Sequence, residues 1–162
     1  MKKLLFTTVL ALSGFIIYGQ NSAVNKAEAA QKKGNVTEAK DLIDAAMDNP
    51  KTKNLVKAYY VKGLIYGSIA TSTDESIASL DSEAVDKTIE SYNKIFETEK
   101  ETSAFYIFAQ QKVDEFWAYN LNNGATNYEN ESWSEAYKYF LICQQIKPND
   151  TTAYYTLPLP PN

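Results

Sequence analysis

The chain has 162 residues, 22% charged and 44% apolar, with a net charge of −4, which is enough for one globular domain with a sizeable core. It has no His, and all 16 basic residues are Lys. It therefore lacks the usual general base, the commonest metal ligand and the bidentate fork that grips phosphate. No basic cluster is interleaved with stacking aromatics, so the sequence gives no nucleic-acid footprint.

Lys2 and Lys3 precede an apolar run, residues 4–17, and Gly19 offers a small residue at a cut. This reads as a secretory signal peptide, residues 1–20. The run falls short of the ~20 apolar residues that a spanning helix wants. The chain is thus expected to be exported, periplasmic or secreted, with no transmembrane segment after cleavage. Cys143 is the single cysteine, so no internal disulfide is expected. With no His to activate it, it reads as a small buried apolar residue rather than a nucleophile.

Residues 21–155 read as helical almost throughout, in an all-α domain. Ala23, Ala27 and Ala30 mark one face of a first helix, about 22–33, which Gly34 ends. Asn35, with Glu38 three residues on, forms a capping box for a second helix, striped by Ala39, Leu42, Ile43, Ala46 and Met47 and closed by Pro50. A third helix covers about 53–70, with Leu55, Ala58, Tyr59, Gly63, Tyr66 and Ala70 at helical spacing. Residues 71–82, rich in Ser, Thr and Asp, read as a loop. A fourth helix spans about 83–98, with Val85, Ile89, Tyr92, Ile95 and Phe96 inward. A long periodic stretch follows from about 103 into the 120s, with Phe105, Phe108, Ala109, Val113, Phe116, Trp117 and Leu121 inward. At Asn122, Asn123 and Gly124 it either kinks or splits. Ser132 and Glu135 make a second capping box, and the last helix carries Ala136, Phe140 and Cys143 before Pro148.

The two capped helices match. Both run cap, apolar, polar, Glu, Ala, then a large apolar residue four on (Ile43, Phe140) and a small one three further (Ala46, Cys143). That is an internal repeat. Gly124, Ala136, Phe140, Cys143 and Pro148 stand at the spacing of the tetratricopeptide repeat, a helix–turn–helix unit of 34 residues, which this chain resembles. Ala27, Ala30, Gly34, Ala39, Ile43, Ala46 and Pro50 fit a first unit, with Pro50 one residue early. Gly63, Tyr66, Thr88, Tyr92 and Ile95 fit a middle unit interrupted by the loop. The units lie farther apart than one 34-residue period, and Asn120 and Asn127 stand where the family has large residues.

The resemblance implies helix–turn–helix repeats stacked as a short right-handed solenoid. It also implies a non-catalytic scaffold, here of a bacterial cell envelope, that holds a protein or peptide partner in a groove of first-helix faces. Tyr60, Asn120, Asn123 and Asn127 are the groove residues on that reading. The alternative is a glycan- or substrate-binding component of an envelope uptake or processing system, with aromatics stacking on sugars. No catalytic residue, cofactor or metal is expected. Carboxylate pairs such as Asp114/Glu115 and Glu129/Glu131 read as solvated faces, and the acids around 74–86 lack a calcium-loop pattern. Pro158, Pro160 and Pro161 forbid a capping helix, so residues 156–162 are expected to form an irregular tail. An uncapped last repeat would leave apolar surface open to pairing with another chain.

Overall fold

The computed structural model describes residues 22–152. The expected signal peptide and the tail at 156–162 lie outside them. Among the described residues the chain is all-helical: α1 (22–32), α2 (Val36–Asp48), α3 (Val56–Ala70), α4 (Glu75–Ala78), α5 (Ala84–Thr98), α6 (Ala104–Glu129) and α7 (Trp133–Ile146). None of these helices is long and apolar enough to cross a membrane.

Sequence dictates how α1 turns into α2. Gly34 adopts φ +80°, in the left-handed region where a side chain is costly. Its amide bonds the Gln31 carbonyl, and the Asn35 amide bonds that of Ala30, which is the Schellman pattern. The same pair of bonds recurs between α6 and α7, from Glu131 to Tyr128 and from Ser132 to Asn127, with Glu131 at φ 59°. The expected capping boxes do not form. Neither the Asn35 nor the Ser132 side chain accepts a cap bond. The Asn35 amide instead donates to the Glu38 carboxylate at 3.2 Å.

Side-chain pairs set the helix directions. Lys57 meets Asn25 and Glu28, and Gln31 meets Ser68, so α1 and α3 run parallel. Tyr60 packs on Phe105, and the Tyr119 hydroxyl donates to the Thr71 carbonyl, so α3 and α6 run parallel too. In contrast, Gly63 lies under Tyr92 and Gly67 beside Thr88, which makes α5 antiparallel to α3. Gly124 lies under Phe140 and Trp117 beside Cys143, which makes α7 antiparallel to α6.

Missing Cβ atoms make these crossings close. A Cβ on Gly63 would stand 2.6 Å from Tyr92 Cε1, and one on Gly124 would stand 2.6 Å from Phe140 Cε1. A ring therefore fills the space a side chain would occupy, and the two helices approach more closely. Val24, Ala27, Ala39, Ile43, Ala58, Val61 and Ile65 continue the core through α1, α2 and α3.

Four features depart from the sequence-based expectation. The third helix starts at Val56 rather than near 53, because residues 49–54 form a turn in which the buried Thr52 hydroxyl donates to the Ala46 carbonyl. The loop after α3 holds a helical turn, α4, capped by Asp74, whose carboxylate accepts from the Ser76 amide at 2.9 Å. On α5 the buried positions are Ala84, Thr88, Ser91, Tyr92 and Ile95, while Val85 and Ile89 are only half-buried. The Thr88 and Ser91 hydroxyls bond carbonyls one turn back, at 2.7 and 2.5 Å, and so can be buried. Finally, α6 runs unbroken through Asn122, Asn123 and Gly124, and Phe108 is exposed rather than inward.

Candidate functional site

A cleft of about 370 Å³ opens where the parallel helices α1, α3 and α6 stand side by side. Each supplies a wall: Gln31 from α1, Leu64 and Ser68 from α3, and Lys112, Phe116 and Tyr119 from α6. Tyr92 and Thr88 of α5 reach it from behind. They can do so because Gly63 and Gly67 put no side chain in the way. The glycine spacing noted in the sequence thus has a local consequence: it lets the second helix contribute a ring to a surface built by the first.

The polar groups of the cleft are partly committed. Gln31 Nε2 donates to Ser68 Oγ at 2.5 Å, and Ser68 donates to the Leu64 carbonyl at 3.0 Å. Gln31 Oε1 is buried without a partner. An unpaired buried carbonyl costs about 1–3 kcal/mol, and this one is closed to solvent, so it is a local cost of the packing and not a contact for a molecule entering the cleft. Glu115 accepts from Lys112 and Gln111, and the Lys112 bond chiefly holds its carboxyl below the ordinary range. Burial raises the Tyr92 phenol well above its ordinary value, so it stays protonated and neutral. The site therefore offers a neutral phenol, hydroxyls and an ion pair at the rim. This suits hydrogen bonding to a polar, uncharged strand. No group of three His, Cys, Asp or Glu side chains among the described residues could hold a metal.

The groove residues expected from sequence lie elsewhere. Tyr60 is on α3, but its ring packs between Phe105 at 5.7 Å and Phe108 at 6.2 Å. Asn120 is 2% exposed, and its amide donates to the Phe116 carbonyl at 2.8 Å. Asn123 and Asn127 donate to the Tyr119 and Asn123 carbonyls, each at 2.8 Å. All three asparagines turn back on their own helix, and none of the four residues lines the cleft. What brings the actual lining together is the parallel run of three helices far apart in sequence. Gln31, Ser68 and Tyr119 share no local spacing that could announce it.

Outside the cleft, two acids are held by lysines. Asp81 accepts from Lys87 at 2.8 Å and from the Glu83 amide at 2.9 Å, and Asp114 pairs with Lys147 at 2.8 Å. Lys147 also stands 4.6 Å from the centroid of the Trp117 ring. No protein-family model matches the chain, and neither curated proteins nor solved structures give a match to it.

Proposed function

We propose that the chain is a non-catalytic scaffold that holds an extended segment of another protein in the cleft between α1, α3 and α6. The observation that carries this reading is the parallel run of those three helices, each lending a wall to one cleft. Such a surface follows from repeating one helical hairpin, as in the tetratricopeptide repeat that the sequence resembles. On this reading the stack is a short right-handed solenoid. The unmatched period of the units comes from two insertions, the connection at 71–83 and the extra length of α6. The leader-like sequence of residues 1–20 supports a location in a bacterial cell envelope, periplasmic or secreted.

Site-specific photo-cross-linking in the producing cell tests this. A photoreactive side chain at Leu64, in the cleft, should yield a discrete adduct with one protein. The same group at Asp86, on α5 outside the cleft, should yield none. Equal products from both positions, or none from Leu64, would overturn the cleft as the binding surface.

A further inference from the structure

Tyr92 is 3% exposed, and its hydroxyl has no hydrogen-bond partner among the described residues. A buried phenol normally finds one. The ring comes from α5 across Gly63, with Cε1 and Cζ each 2.6 Å from where a Cβ would stand and Cδ1 at 3.1 Å. It therefore passes the α3 backbone tip first, and the oxygen on Cζ leads it into the cleft that Gly63 and Tyr92 both line. The other donors there are committed. The Ser68, Thr71 and Thr88 hydroxyls donate to carbonyls one turn back on their own helices, at 3.0, 2.9 and 2.7 Å. Tyr119 donates to the Thr71 carbonyl at 3.1 Å, and Gln31 gives its amide to Ser68 Oγ and the Leu64 carbonyl. At the rim Lys112 holds Glu115. Tyr92 alone keeps a free hydroxyl proton, among hydroxyl oxygens that can still accept.

We propose that Tyr92 anchors the segment held in the cleft, a proposal that rests on the cleft being the binding surface: its hydroxyl donates to a main-chain carbonyl in a stretch free of carboxylates. A peptide unit matches what is left unpaired. Its carbonyl takes the phenol proton, and its N–H suits a hydroxyl oxygen such as that of Tyr119 or Thr71. Leu64 and Phe116 give the flanking side chains an apolar wall. A carboxylate is a poorer occupant. Burial, then Tyr60 and Glu115, oppose ionisation of the phenol, so Glu115 stands near enough to repel a second anion there. A sugar fits worse still. Each of its hydroxyls needs a partner, and one free hydroxyl proton is too few. Tyr92 and Phe116, 3% and 7% exposed, also show no open ring face for stacking.

Tyr92→Phe tests it, because it removes the hydroxyl and keeps the ring over Gly63. The hydroxyl bonds nothing in the free chain, so the urea midpoint should not fall. A lower midpoint would show the hydroxyl already bonded within the chain and would overturn the proposal. Titration of the purified chain with acetyl-trialanine amide, followed at the Gly63 and Gly67 amide NMR signals, should move both. The Tyr92→Phe chain should bind that peptide about three- to tenfold more weakly, the worth of one hydrogen bond. Acetyl-triaspartate amide and maltotriose should leave the signals in place. Equal binding by the two chains, signals that move with maltotriose and not with the peptide, or signals that move with neither would each overturn the anchor. In the cell, Tyr92→Phe should cut the adduct from a photoreactive group at Leu64. An undiminished adduct would sink the anchor and leave the cleft as the binding surface, whereas no adduct in the parent would sink both.

Discussion

The ring of Tyr92 lies across Gly63 where a Cβ would come within 2.6 Å of Cε1 and Cζ. Four residues on, a Cβ at Gly67 would meet Thr88 Cγ2 at 3.6 Å, an ordinary contact. The two glycines should therefore answer alanine with opposite signs. Gly67→Ala should stabilise by about 0.5–1 kcal/mol through helix propensity. Gly63→Ala makes the same gain, but overpacking of about 1–3 kcal/mol should leave it destabilised. Urea midpoints for the two variants check this. If both rise, Tyr92 does not pack where it is placed.

Gly34 and Glu131 occupy the same left-handed turn at φ 80° and 59°, yet only one of them is glycine. Glu131 should carry a strain of about 1–2 kcal/mol in that conformation. Glu131→Gly should raise the melting temperature, by about 1 kcal/mol in stability. Gly34→Ala should lower it by a similar amount. A Glu131→Gly chain less stable than the parent would mean that the side chain makes a contact outweighing the strain.

Burial, the main cause, pushes the Cys143 thiol up to about 11. A raised value means that the fold favours the protonated form. The associated stability is present below the unfolded thiol's ordinary range and is lost as pH rises through about 11. At neutral pH the thiol should react with an aromatic disulfide reagent only as fast as the protein opens, and at once in denaturant. Prompt reaction of the native chain would contradict its burial.

Asp81 behaves in the opposite sense. Burial works against its charge, but Lys87, the Glu83 amide and Lys40 outweigh that and hold its carboxyl below the ordinary value. Its contribution is complete above the usual carboxylate range and is lost as pH falls below that range, through the lowered value of the folded state. Asp81→Asn should cost stability at pH 7 and much less near pH 3, flattening the acid limb of the stability curve. Chemical denaturation at the two pH values measures it. An unchanged acid limb would assign the acid sensitivity to other carboxylates.

The all-helical fold was legible because small and large residues recur at helical spacing. Gly124, Ala136, Phe140 and Cys143 stand at one crossing, as Gly63, Thr88, Tyr92 and Ile95 do at another. The inward face of α5 was less legible, because Thr88 and Ser91 hide their polarity by bonding their own helix, which hydrophobic periodicity cannot register. The unbroken course of α6 escaped notice for a related reason. Asn123 bonds its own helix, and Phe140 covers the gap at Gly124. The lining of the cleft was not legible residue by residue. Which polar side chain points outward depends on how three helices rotate against one another, and that rotation buries Asn120 while Gln31 lines the cleft.

The 26 residues of α6 are divided between two sets of neighbours. Its start lies along α3 through Phe105 and Phe108, its end packs on α7 through Gly124, and the stretch between touches both, with Tyr119 on the end of α3 and with Asp114 and Trp117 on α7. Peeling α7 away would strip the helix beyond Asn120 of that support while leaving the part before it clasped. Such a helix should not melt all at once. Its amides after Asn120 should exchange with solvent deuterium together with those of α7, ahead of the amides beside α3. One continuous rod would then open as two cooperative blocks.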